Sequence, residues 1–158
     1  MTAKNYEQAI DILKDSGVGL ADGFSINMKF IGVSKFCNIE MAPALNNNES
    51  QMNINEFLEN EGNMINCNHY LRMKIPEYDD FYMRATKARY ETLMKKFPQP
   101  KCKEDVLKML GDTSHDEHWI FRCKKELATK TICVGIFDFV KRTWSLYKDN
   151  PKTSRPVA

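Results

Sequence analysis

The hydrophobic pattern of this chain changes period midway, and that change limits the folds open to it. From Phe24 to Cys67 apolar residues recur at alternate positions in short pieces, and from Phe81 to Leu110 they recur at helical spacing. Phe24-Ser-Ile-Asn-Met-Lys-Phe30 alternates from end to end, which predicts a half-buried strand. Gly32 and Ser34 offer a turn. Phe36 to Met41 alternates again, with Cys37, Ile39 and Met41 on one face, and Pro43 ends it. Beyond the polar loop Asn46 to Ser50, Met52 to Leu58 predicts a third strand. After a turn at Glu61-Gly62, Met64 to Cys67 predicts a fourth. Connections this short make an antiparallel meander.

Helices flank the meander. Asn5 to Asp15 places Tyr6, Ala9, Ile12 and Leu13 on one face, with Asn5 as a cap and Gly17 as a stop. Phe81 to Phe97 is helical up to Pro98, with Tyr82, Ala85, Arg89 or Tyr90, and Leu93 along one side. Lys103 to Leu110 follows, with Val106, Leu107 and Leu110 inward and Gly111 as its cap. Trp119 to Arg122 reads as a short extended piece. Thr131 to Phe137 is nearly all apolar, as expected of a strand buried on both faces. Asp138 to Arg142 turns the chain, and Thr143 to Tyr147 returns as the hairpin partner. The tail beyond Asn150-Pro151 reads as irregular. The order is α+β, with helices covering sheet faces. No repeat or low-complexity linker divides residues 1–158, so one piece is expected.

Composition narrows the function classes. The net charge is only +2, with acids and bases interspersed, which argues against a nucleic-acid partner. No apolar run approaches the ~18 residues of a membrane span, and the N-terminus has no signal-peptide core. The five cysteines are odd in number and lack CxxC spacing. Reduced thiols and a cytoplasmic location are therefore expected.

Three stretches carry candidate chemistry. Gly17 to Gly23 is glycine-rich but lies between a helix and a strand, the reverse of a phosphate-binding loop, so it reads as a stop and turn. His115 and His118, with Asp116, Glu117 and Cys123 nearby, lack the matched four-ligand spacing of a zinc site and read as a polar loop. Cys67 and His69 flank Asn68 at the expected end of the last strand. Cys67 continues the inward alternation from Ile65 and reads as a packing residue. A side-chain amide such as that of Asn68 can donate to a developing oxyanion, or it can simply cap a loop.

The blocks Asn38-Ile-Glu-Met-Ala-Pro43, Asn66-Cys-Asn-His-Tyr-Leu71, Ala88-Arg-Tyr90, Thr131-Ile-Cys-Val-Gly-Ile-Phe-Asp138 and Thr143-Trp-Ser-Leu-Tyr147 occur in that order. Together they resemble the acyl-coenzyme A:6-aminopenicillanic-acid acyltransferase family over nearly the whole chain, with its animal members the closer comparison. The resemblance implies part of an N-terminal-nucleophile hydrolase (αββα) fold. In such enzymes a precursor cuts itself before a cysteine, which becomes the nucleophile, with its own α-amino group as base. On matching positions, Asn68 resembles the asparagine of the oxyanion hole. Arg89 resembles an arginine that supports the site, with Arg84 a turn and a half away on the same helix.

The chain departs from the family in one respect. It resembles only the C-terminal portion of the domain, and none of Cys37, Cys67, Cys102, Cys123 or Cys133 stands where the nucleophile should. The resemblance therefore implies an amide-bond hydrolase or N-acyltransferase whose nucleophile is outside this chain, with the chain inactive alone. The implied partners are a small N-acyl amine, of the beta-alanyl-dopamine or penicillin type, and the missing N-terminal half or a homologous chain. No metal or organic cofactor is called for. The alternative is a non-catalytic binding or interaction module derived from that fold.

Overall fold

The computed structural model describes residues 3–14, 20–44, 50–59, 61–126 and 129–157. It divides into two compact units, Met1–Asp79 and Asp80–Ala158.

The first unit begins with α1, Tyr6–Lys14. Asn5 caps it as expected: its Oδ1 accepts the N–H of Gln8 at 2.9 Å, and Gln8 Oε1 accepts the N–H of Lys4 at 3.0 Å. The expected stop at Gly17 lies outside the described residues, as do residues 17–19 of the glycine-rich stretch and most of the Asn46 to Ser50 loop. Three strands follow: β1 (Phe24–Lys29), β2 (Lys35–Ala42) and β3 (Gln51–Leu58). They form an antiparallel sheet in that order, in which Ile39 faces Ile26 on one side and Ile54 on the other. The alternation of β2 places Cys37, Ile39 and Met41 on one face, fully buried. Tyr6, Ile10 and Leu13 of α1 pack against them together with Ile26, Met28 and Phe30. The Tyr6 hydroxyl donates to the Lys35 carbonyl at 2.8 Å, so the one polar atom α1 buries in this core is satisfied.

Met64 to Cys67 is not the expected fourth strand. Among the described residues the sheet has three strands, and residues 62–67 run past it without joining the ladder. The side chains of Asn66, Tyr70 and Arg72 and the backbone N–H groups of residues 71–73 bond to the sheet instead.

In the second unit, α2 (Phe81–Lys96) starts where Asp80 Oδ1 accepts the N–H of Met83 at 2.8 Å and ends before Phe97-Pro98. Ala85, Thr86 and Leu93 are buried. The next helix, α3 (Lys103–Leu110), keeps Val106, Leu107 and Leu110 half-buried. The Gly111 N–H closes it on the Leu107 carbonyl at 3.0 Å. Two strands, β4 (Val134–Asp138) and β5 (Thr143–Tyr147), pair as an antiparallel hairpin. Asp138 Oδ1 accepts the N–H groups of Val140 at 3.0 Å and Lys141 at 2.9 Å, and Arg142 takes a left-handed φ of 53° to re-enter the strand.

Two expectations fail in this unit. The apolar run Thr131 to Phe137 is not buried on both faces: β4 starts only at Val134, its burial is partial, and Ile132 and Cys133 are exposed. Among the described residues its only ladder partner is β5, so its apolar content does not amount to a central position. Trp119 to Arg122 forms no strand, because the N–H groups of Ile120 and Phe121 both bond to the Asp112 carbonyl at 3.0 Å. The tail is tied at Asn150, whose Nδ2 donates to the Gly111 carbonyl at 2.9 Å.

The architecture is α+β, with antiparallel sheets and three helices among the described residues. None of those helices is long and apolar enough to cross a membrane.

Candidate functional site

The site is built from the polar face of β2. Strand alternation that sends Cys37, Ile39 and Met41 into the core sends Asn38 and Glu40 to the opposite face. Both are nevertheless 0% exposed. Their cross-strand neighbours are Ser25 and Asn27 on β1 and Asn53 and Asn55 on β3. Residues 66–73 lie across this face and cover it.

Glu40 holds that segment by its backbone. Its carboxylate accepts three consecutive N–H groups, those of Leu71 at 2.6 Å, Arg72 at 3.0 Å and Met73 at 3.0 Å. The Arg72 guanidinium lies 3.6 Å from the same carboxylate. Arg72 Nε donates to Asn53 Oδ1 at 2.8 Å, and its Nη2 donates to Asn38 Oδ1. Asn38 Nδ2 donates in turn to Ser25 Oγ at 2.7 Å and Asn27 Oδ1 at 2.9 Å. Buried polar groups are tolerable when all are satisfied, and this network is closed across all three strands.

Two more ties flank the centre of the segment. Asn66 Nδ2 donates to Ser25 Oγ at 2.8 Å. The Tyr70 hydroxyl donates to the Met41 carbonyl at 2.9 Å, while its N–H bonds to Glu77 Oε1 at 2.9 Å. Burial pushes the Tyr70 phenol above its usual pKa, and the Glu77, Asp22 and Glu40 carboxylates add to the effect. Tyr70 stays a donor. A Cβ at Gly23 would fall onto the Tyr70 hydroxyl, so a larger residue there would displace Tyr70 from this position.

Between these ties the chain bends sharply. The His69 N–H donates to the Cys67 carbonyl at 2.9 Å, a three-residue turn with Asn68 at its tip. Asn68 is exposed, while its neighbours Cys67 and His69 are half-buried. The bend also removes the strand geometry on which a Cys67–His69 pair would depend. What the arrangement offers chemically is an amide group on a short, anchored turn, able to donate to an oxygen that gains charge.

Arg89 lies on α2 in the second unit. Its Nη2 donates to the buried Thr86 Oγ1 at 3.1 Å, and its Nε to the Ala85 carbonyl at 3.4 Å, so the guanidinium is folded back along its own helix. The histidines form a loop structure: His115 Nδ1 accepts the N–H groups of Glu117 at 3.2 Å and His118 at 3.0 Å. Among the described residues, no group of three or more His, Cys, Asp or Glu is placed to hold a metal ion.

The cysteines are not in disulfides. Cys37 is 1% exposed. Burial pushes its thiol pKa up, with a further push from Glu56 against a smaller pull from Lys35. A thiol so placed is a poor nucleophile. Cys102, Cys123 and Cys133 are exposed.

Sequence reasoning singled out Asn68 but missed Glu40, Asn38 and Arg72. The polar positions of an alternating strand are ordinarily its solvent side, and only the pairing of Asn38 with Glu40 at i, i+2 hinted at a shared polar task.

A profile of the acyl-coenzyme A:6-aminopenicillanic acid acyl-transferase family matches residues 1–153. The chain is 37% identical over 161 aligned positions to a Drosophila melanogaster protein described as beta-alanyl-dopamine/carcinine hydrolase. That alignment takes in 99% of this chain and 41% of the fly protein, so the chain spans about two-fifths of its relative's length. No solved structure matches.

Proposed function

Because this chain belongs to the acyl-coenzyme A:6-aminopenicillanic acid acyl-transferase family, we propose that it supplies the oxyanion-binding part of a site that hydrolyses or transfers the acyl group of small N-acyl amines. The observation that carries the proposal is the anchored turn: Glu40 clamps residues 71–73 by three N–H bonds, and Asn68 stands exposed at the tip beside them. The nucleophile is a cysteine outside these 158 residues. Supporting this, the most buried thiol, Cys37, lies in a sheet core with its pKa raised by burial. The two antiparallel sheets and the helices are, on this reading, parts of the αββα layers of an N-terminal-nucleophile hydrolase. Residues 1–158 then form the C-terminal portion of one such domain.

In the proposed reaction the cysteine thiolate attacks the amide carbon and the carbonyl oxygen becomes an oxyanion. The Asn68 side-chain N–H donates to it. The C–N bond breaks, the amine leaves with the proton that the cysteine's α-amino group had taken from the thiol, and an acyl-thioester remains. Water or a second amine then takes the acyl group and restores the thiol. Arg89 supports the site, and no metal or organic cofactor takes part. The substrate class follows the name of the fly relative, which points to amides of biogenic amines. The location is cytoplasmic, with neither a nucleic acid nor a membrane as partner.

A second reading, a non-catalytic interaction module, draws support from the exposed apolar side chains of the hairpin region: Ile132, Val140 and Trp144 are 88%, 94% and 58% exposed. The two readings separate in one experiment. The chain is joined in frame behind the remaining portion of the fly hydrolase, and hydrolysis of beta-alanyl-dopamine is followed with Asn68 intact and as Asn68→Ala. Loss of an oxyanion donor predicts a fall in kcat of about 10²–10³ with little change in KM. A folded chimera whose kcat is indifferent to Asn68→Ala overturns the assignment.

A further inference from the structure

The loop that follows α3 is held by backbone bonds and by side-chain caps. The Asp112 carbonyl accepts the N–H groups of Ile120 and Phe121, both at 3.0 Å, which closes residues 112–121. Inside the loop two side chains cap backbone donors. Asp112 Oδ1 accepts the Ser114 N–H at 2.9 Å and the Ser114 hydroxyl at 2.5 Å. His115 Nδ1 accepts the N–H of Glu117 at 3.2 Å and of His118 at 3.0 Å. A ring nitrogen accepts only while it carries no proton, so this geometry requires a neutral His115 with its proton on Nε2.

The surroundings make a single charge change consequential. The His115 and His118 rings lie 5.1 Å apart between centroids, and the His118 ring meets Phe81 of α2 edge-on at 5.8 Å. A Glu117 carboxylate oxygen is 3.8 Å from His118 Nε2, while Arg122 and, from α2, Arg89 add positive potential. Lys124 Nζ reaches the Asp116 carbonyl at 3.5 Å, adding a further cation at the rim. Two imidazolium ions at this spacing repel each other.

We propose that the 112–121 loop carries a one-proton latch: with Nδ1 of His115 unprotonated, the 115–118 turn is held closed, and protonation of that nitrogen releases the turn and, with it, His118 from Phe81. This goes beyond the acyl-transfer reading and does not depend on it.

The caps and the two rings respond differently to acid. Burial lowers the His118 pKa, reinforced by His115, Arg122 and Arg89 and opposed by Glu117. A lowered folded-state value means that the stability His118 contributes is present above the ordinary imidazole value near ~6.5 and is lost as pH falls below it. For Asp112, burial alone would raise the pKa, but the bonds from Ser114 and the charges of Lys96 and Lys152 outweigh it and hold the carboxyl below its usual range. Its cap therefore survives the fall in pH that costs His118 its contribution. Acid should open the 115–118 turn and leave the 112–114 turn closed.

The test is amide hydrogen exchange by NMR on the whole chain at about pH 7.5 and about pH 5.5, corrected for intrinsic pH dependence. The account expects the Glu117 and His118 amides to lose roughly ten-fold in protection on acidification, with the Ser114 amide unchanged. In His115→Asn the Asn Oδ1 takes the place of Nδ1 as a non-titrating acceptor, so the pH effect should vanish. Unchanged protection in the wild-type chain overturns the proposal, as does an equal pH effect in His115→Asn. Should that variant not fold, ¹⁵N shifts of the wild-type His115 ring decide. Protonated Nε2 with bare Nδ1 at neutral pH upholds the latch, and the opposite tautomer overturns it.

Discussion

Strands β2 and β4 reverse what their sequences suggest. β2 alternates polar with apolar, as a half-exposed strand should, yet Asn38 and Glu40 are as buried as Ile39 and Met41. The run leading into β4 is nearly all apolar, yet Ile132 is 88% exposed and the strand itself is only half-buried. Burial here follows partners more than hydropathy. β2 has a strand on each side, a helix on one face and a polar segment on the other, bonded to it atom for atom. Among the described residues, β4 has one strand beside it. A polar face can be buried wherever every donor and acceptor is met, and an apolar face stays exposed where nothing is laid on it.

The comparison can be pushed from both ends. Glu40→Ala removes the acceptor for three backbone N–H groups and leaves the Arg72 guanidinium without its buried counter-charge. Loss of one side of a buried charge network costs about 3–5 kcal/mol, which urea denaturation should show as a large fall in the midpoint. If Glu40 were merely tolerated, the loss would be that of an ordinary surface change. At the other end, Ile132→Ser alters an apolar residue that touches little, and stability should move by no more than about 0.5 kcal/mol. A loss of several kcal/mol there would mean that the run is buried after all.

Much of the fold was legible in the sequence because it is local. The periods of α1, β1 to β3, α2, α3 and the β4–β5 hairpin are set by residues a few positions apart, and caps such as Asn5 and Gly111 announce themselves. What failed was non-local. Met64 to Cys67 alternates like a strand, but the segment it leads into spends its backbone donors on a carboxylate 31 to 33 residues earlier in the chain. Trp119 to Arg122 likewise bonds to Asp112 rather than to another strand. No window of sequence reports such pairings. The candidate site was half legible for the same reason. Asn68 could be picked out through the family blocks around it, whereas the Glu40–Arg72–Asn38 network that fixes its turn exists only once three strands are side by side. Asn68 and Arg89 fall in different units.

The claim on which the functional account rests is that this chain carries the oxyanion donor but not the nucleophile. Its most direct test is to incubate the purified 158-residue chain with beta-alanyl-dopamine, follow dopamine release, and record the intact mass of the protein afterwards. The account predicts no release above the uncatalysed rate and an unchanged mass. Sustained release, or an acyl group retained on Cys37, Cys67, Cys102, Cys123 or Cys133, would contradict it.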